Sequence, residues 1–148
     1  MFSTIVVGFD GSDPSRNALK LACDLARKYG SALHLSHTPA HETVAFALGA
    51  VAGYHMATTL PKPEEIKAAA DRIFDQAQAI ADENGRLQLI LHQGSGDPAH
   101  DMLDCAKALD ADLIVTGRRG LGNLTALMMG STSAHVAHHA TCACLTVT

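Results

Sequence analysis

Five short apolar runs alternate with stretches of helical periodicity along the chain. Thr4-Ile5-Val6-Val7-Gly8-Phe9 is continuous and β-rich, the composition of a strand buried on both faces of a parallel sheet. It ends at Asp10-Gly11-Ser12, where Asp13 is placed to cap a helix with Pro14 in its first position. Ala18, Leu21, Ala22, Leu25 and Ala26 then recur at helical spacing until Gly30. Ala32 to His37 alternates as a second strand. Pro61 and Pro63 introduce an amphipathic helix whose apolar face reads Ile66, Ala70, Ile73, Ala77 and Ile80, closed by Gly85. Leu87 to Leu91 supplies a third strand, and Pro98 opens a helix through Met102, Leu103, Ala106 and Leu109. Asp112 to Thr116 is the fourth strand, a helix runs from about Ser131 to His139, and Cys144 to Val147 is the fifth strand.

Strands alternating with helices predict an α/β fold: one doubly wound parallel sheet with helices on both faces and right-handed crossovers. At 148 residues the chain supports one domain over 1–148, long enough to bury most of the surface its unfolded form exposes. Composition sharpens this. Apolar residues make up 47% and charged residues 18%, which is globular, while aromatics are only 4%, so the core is expected from Val, Ile, Leu and Ala. One stretch departs from the pattern. Thr43 to Leu60 carries no Lys, Arg, Asp or Glu over eighteen residues, close to the length that spans a bilayer. It also holds Gly49, Gly53, His55 and several Thr, and lacks a basic flank. It reads as a loop and short helix buried against the domain or a partner, not as membrane insertion.

Eleven Lys and Arg against fifteen Asp and Glu leave a net charge of −4, a field that does not favour nucleic acid. A phosphate ligand therefore needs local help. The four cysteines, at 23, 105, 142 and 144, lack C-x-x-C spacing, and the N-terminus lacks a basic region followed by a signal-type apolar run. The expectation is a reduced cytoplasmic protein.

Local help is offered after the fourth strand, where Gly117, Gly120 and Gly130-Ser131 have the spacing G-x2-G-x9-G-S. Glycines let backbone N–H groups approach phosphate oxygens, and Gly130-Ser131 falls where a helix starts, with free N–H groups and the positive end of its dipole. Turn formation alone could also account for the glycines. Position argues for the ligand, because open α/β sheets bind beyond the carboxyl ends of their strands, where the strand order reverses. Asp10 and Gly117 both follow strands directly. If strands one and four flank the reversal, Asp10 faces the same crevice, as an acceptor for a base or ribose or a holder of metal on phosphates. The segment lacks the Walker lysine, and no G-x-G-x-x-G follows strand one.

With these features in view, the segment resembles the nucleotide motif of the ATP-binding universal stress proteins. The resemblance extends through Ile5 to Ser12, Gly96-Asp97-Pro98-Ala99 and Asp112 to Val115, and covers the chain apart from about residues 41 to 65. It implies the strand order 3-2-1-4-5 of the adenine nucleotide alpha-hydrolase-like fold. It implies a site at Asp10, Thr38, Gly117, Gly120, Gly130, Ser131 and Thr132, to which the charge of Arg118, next to the first motif glycine, is added. Asp10 would contact adenine, the Thr38 backbone would add a contact, and the glycine loop would hold ribose and phosphates; by their own place and charge Arg118 and Arg119 could pair with phosphates, at least one of them being merely solvated. The implied ligand is ATP, ADP or AMP with Mg2+, and the implied assembly is a homodimer through the last strand. Where the family has Cys-Pro-Val there, this chain has Cys142-Ala143-Cys144.

Other residues carry less. His135 with His138 or His139 has the spacing that puts two imidazoles on one helix face, but no carboxylate ligand lies in that helix, and a solvated face is the reading. Cys142 and Cys144 share a strand face and read as small core fillers; Cys23 and Cys105 read as packing residues. An enzyme transferring a phosphoryl or adenylyl group is the alternative class, and a ligand-free dimerisation module another. The sequence shows no adenylylating signature and no placeable Ser-His-Asp or Cys-His arrangement for the former, and the intact glycine motif argues against the latter.

Overall fold

The computed structural model describes residues 1–39, 62–121 and 129–148. Among them the elements run β1 (Thr4–Gly8), α1 (Asp13–Tyr29), β2 (Ala32–His37), α2 (Pro63–Glu83), β3 (Ile90–Gln93), α3 (Pro98–Ala108), β4 (Leu113–Gly117), α4 (Ser131–His139) and β5 (Ala143–Val147). The strands form one sheet in the order β3-β2-β1-β4-β5, and every neighbouring pair is parallel. That is the order the resemblance implied. The uncharged stretch Thr43 to Leu60 lies outside the described residues.

Two apolar layers sandwich the sheet. Ile5, Val7, Leu33, Leu35, Leu113 and Val115 point to one side, where Ala18, Leu19, Ala22 and Ala26 of α1 and Ala69, Ile73, Ala77 and Ile80 of α2 cover them. Val6 and Ile114 point to the other, beneath Met102 and Ala106 of α3 and Val136 of α4. The Val, Ile, Leu and Ala core follows from the near absence of large aromatics. Central β1 is buried on both faces, whereas the edge strands keep side chains in water, including Ile90 and Leu91 of β3 and Cys144 of β5.

Several local details differ from the sequence reading. The cap of α1 is Ser12, whose Oγ accepts from the Ser15 N–H, and Asp13 is the first helical residue. The second strand does not alternate between core and solvent: Leu33 to His37 are all buried, since β2 lies inside the sheet and α3 covers its second face. The third strand starts at Ile90, three residues later than expected. Leu87 and Leu89 are apolar because they pack on the core beside α2, and Gln78 of that helix bonds the Leu87 carbonyl at 3.0 Å. Cys142 does pack against the second apolar layer, but Cys144 is exposed and fills no core.

Candidate functional site

The strand order reverses between β1 and β4, whose ends lie side by side with Val7 opposite Val115. Asp10 follows β1 there. Its Oδ1 accepts from the Ser12 N–H at 2.9 Å and from the Ser12 hydroxyl at 2.6 Å, an Asp-x-Ser turn that fixes the carboxylate while Ser12 caps α1. The loop after β4 comes back over it. A Cβ added at Gly120 would lie 2.5 Å from Asp10 Oδ2, so a larger residue there would have to displace the carboxylate.

The remaining glycines play different parts. A Cβ at Gly117 would meet the Pro14 carbonyl carbon and the Ser15 nitrogen at 2.8 Å. Gly117 is therefore needed for α1 to dock against the end of β4, a packing requirement that the glycine spacing did not reveal. Arg118 is held through its backbone: its N–H donates to the Val147 carbonyl at 2.6 Å, and its own carbonyl accepts from the Gly130 N–H at 2.8 Å. The Ser133 hydroxyl bonds the same Arg118 carbonyl at 2.9 Å. The glycine loop thus leaves β4 at Arg118 and is pinned back to it where α4 begins; residues 122–128 between are outside the described set.

How each helix begins separates α4 from α1 and α3. Ser12 caps α1, and Asp97 caps α3 by accepting from the Ala99 and His100 N–H groups at 3.0 and 3.1 Å, while at α2 no side chain of the cap residue bonds the first turn and the Glu65 carboxylate accepts the Lys62 N–H at 2.8 Å. The cap position of α4 is Gly130, with no side-chain capping bond. The first-turn N–H groups of Ser131 and Thr132 are thus left for water or an anion, in the field of the helix dipole.

Thr38, just past β2, is buried, and its hydroxyl donates to Asp101 Oδ2 at 2.8 Å, which also accepts the Gly96 N–H at 3.0 Å. Asp101 of α3 ties the loops after β2 and β3 together, so the Thr38 hydroxyl is committed inside the protein. Beside it, His37 is buried with Nδ1 2.9 Å from the Phe9 carbonyl and its ring edge-on to Phe74. Burial holds its pKa below the ordinary imidazole value, against the opposing pull of the Phe9 bond and the Asp10 charge.

Asp10, Gly117, Arg118, Gly120 and Gly130 are thus joined by close contacts at one edge of the sheet; Ser131 and Thr132 open α4, and Thr38 ends the neighbouring strand. Ser12, Ser133, Asp101 and His37 were not singled out from sequence. Asp-Gly-Ser is itself a turn signal that could have found Ser12. Asp101 and Thr38, sixty-three positions apart, carry no such local signal. Away from this edge, His135 stacks on His139 with ring centroids 4.3 Å apart and His100 joins at 4.7 Å, yet no group of three metal-ligating side chains is placed to hold an ion among the described residues. A groove of about 440 Å³ lined by Lys107, Asp110, Ile114, His139 and Cys142 lies at the opposite, amino-terminal edge of β4 and β5. No helix among the described residues is long and apolar enough to cross a membrane.

Comparison with known proteins agrees with this architecture. Universal stress protein YxiE of Bacillus subtilis is 34% identical over 150 residues, covering 99% of both chains, and a universal stress protein of Thermus aquaticus is also 34% identical with the same coverage. A universal stress protein solved in complex with cAMP superposes with a TM-score of 0.72 at 26% identity, covering 99% of this chain and 97% of its own. One from Archaeoglobus fulgidus in complex with dAMP shares the fold at 23% identity and a TM-score of 0.70, covering 99% of this chain and 98% of its own. The family model for universal stress proteins matches residues 1–148, and the chain belongs to that family.

Proposed function

We propose that this chain binds an adenine nucleotide, ATP or its products ADP and AMP, at the carboxyl ends of β1 and β4, and acts as a nucleotide-responsive regulatory protein in stress response. The observation that carries the reading is the start of α4: a helix N-terminus without a side-chain cap, at a glycine pinned to the loop that covers Asp10. The residues fit the group. Ser131 and Thr132 offer backbone donors to phosphate, Gly120 brings the loop against Asp10, and Arg118 supplies positive charge that the acidic average lacks. Asp10, oriented by Ser12, faces the base or ribose, and Thr38 can contribute only backbone, its hydroxyl being taken by Asp101. Gly117 serves the site indirectly, by docking α1 against β4. Two structural neighbours, solved with cAMP and dAMP, support the adenine nucleotide class.

Mg2+ would accompany the phosphates, with Asp10, which lies against Gly120 of the loop, as a carboxylate to hold it, and hydrolysis, where it occurs, is slow and incidental. The protein would work in the cytoplasm as a homodimer through β5, an edge strand whose Ala143, Cys144 and Thr146 are exposed. Calorimetric titration of nucleotide-free protein with Mg-ATP is expected to give saturable binding. No heat of binding at millimolar ATP would sink the proposal.

A further inference from the structure

The Asp10-Gly11-Ser12 turn is held at both edges of one peptide plane. The N–H of the Gly11–Ser12 peptide donates to Asp10 Oδ1 at 2.9 Å, and its carbonyl, on the opposite edge, accepts from Nε of Arg16 at 2.9 Å. Arg16 is itself fixed at both ends. Its backbone N–H donates to the Ser12 carbonyl at 2.9 Å as α1 begins, and its Nη2 donates to Gln76 Oε1 of α2 at 3.0 Å. A guanidinium suits this place, because its donors keep fixed directions and reach acceptors on two different elements at once. Both Arg16 and Gln76 are half-buried, which spares these bonds part of the competition from water.

We infer that Arg16 is a positioning residue for the nucleotide site: it fixes the Gly11–Ser12 peptide, and through that peptide the Asp10 carboxylate. Gly11 makes such a hold necessary. At φ 85° it lies in the left-handed region, and without a Cβ it sets no side-chain barrier to rotation of the peptide that follows it. Turned over, that peptide would take the Ser12 N–H off Asp10 Oδ1 and leave the carboxylate to the Ser12 hydroxyl, a freely rotating donor at 2.6 Å. The bond from Arg16 to the Gly11 carbonyl selects the orientation in which Asp10 keeps both donors. Gln76 aims the guanidinium from α2, so a helix on one face of the sheet helps to set a carboxylate at its edge. This inference rests on the reading that a nucleotide meets Asp10.

The test is calorimetry with ATP and with adenosine, which has no phosphates, on the wild type, Arg16→Met, Asp10→Ala and the double variant. Methionine keeps an unbranched stem and good helix propensity at position 16 while removing both guanidinium bonds. Arg16→Met is expected to weaken ATP and adenosine alike by about tenfold, and to cost no more than about twofold further once Asp10 is alanine. Gln76→Leu, which leaves α1 untouched, is expected to weaken both ligands by about threefold and carries the test should Arg16→Met unfold. Unchanged affinity in Arg16→Met or Gln76→Leu would overturn the role of Arg16, as would losses that add fully in the double variant. A loss confined to ATP would overturn it too, by showing that the guanidinium meets phosphate directly. In each of these outcomes wild-type binding stands; failure of the wild type to bind either ligand would overturn the underlying reading as well.

Discussion

Two helices, α3 and α4, both begin at the carboxyl edge of the sheet and cover the same face of it, yet they begin in opposite ways. Asp97 closes α3 from within: it takes the Ala99 and His100 N–H groups and also meets His100 Nδ1 at 3.0 Å. Gly130 leaves α4 open, and its own N–H is spent on the Arg118 carbonyl. One start satisfies its orphan donors and its dipole with a carboxylate of its own; the other keeps both available for an anion from outside. The comparison teaches that a helix N-terminus becomes a binding site through what the chain withholds there, not through the helix itself.

Three changes test how far this contrast reaches. The largest effect is expected from Gly117→Val, which would drive a branched side chain into the Pro14–Ser15 backbone and cost about 3 kcal/mol or more of stability. Thermal unfolding should show it with or without nucleotide, which separates the packing glycine from the binding one. Gly130→Asp gives α4 the kind of cap that α3 has. Its Cβ meets the Arg118 carbonyl oxygen at 3.3 Å, a contact relieved by a small shift, and the cap position at φ −64° suits any residue. Stability should change by only a few tenths of a kcal/mol, while ATP affinity falls by about tenfold, near 1.4 kcal/mol, as a fixed carboxylate competes with phosphate. An affinity unchanged in calorimetry would break the contrast.

The smallest effect comes from acid. The His100 backbone N–H, with smaller help from its side chain and the Ala99 N–H, holds Asp97 below the ordinary carboxylate range. A depressed folded value means that the cap is present at and above the ordinary carboxylate value and is lost as pH falls through the lower folded one. Because Asp97 is exposed, its effect on global stability is small. Amide exchange at Ala99 and His100 should quicken only in that acid window. Quickening already at pH 5 would show that Asp97 is not the cap.

Much of this was readable from residue pattern, and the failures share a cause. Continuous apolar runs located β1 and β4 because both are buried on two faces, and the glycine spacing located the open start of α4. The reading slipped where an apolar residue serves the core from outside a strand, as Leu87 and Leu89 do, and where a polar residue sits inside the sheet, as His34, Ser36 and His37 do in β2. Spacing alone also gave no sign that Gly117 makes room for a neighbouring helix. Partnerships formed only by folding, such as Thr38 with Asp101 and Ser133 with the Arg118 carbonyl, leave no periodic trace.

The most direct test of the central claim is a titration of the 15N-labelled protein with Mg-ATP, followed at the backbone amides of both helix starts. Ser131 and Thr132 at the open start of α4 are expected to move and saturate together, while Ala99 and His100, bonded to Asp97, stay in place. Saturable shifts at Ala99 and His100 with Ser131 and Thr132 unmoved, or no shifts at either start, would contradict it.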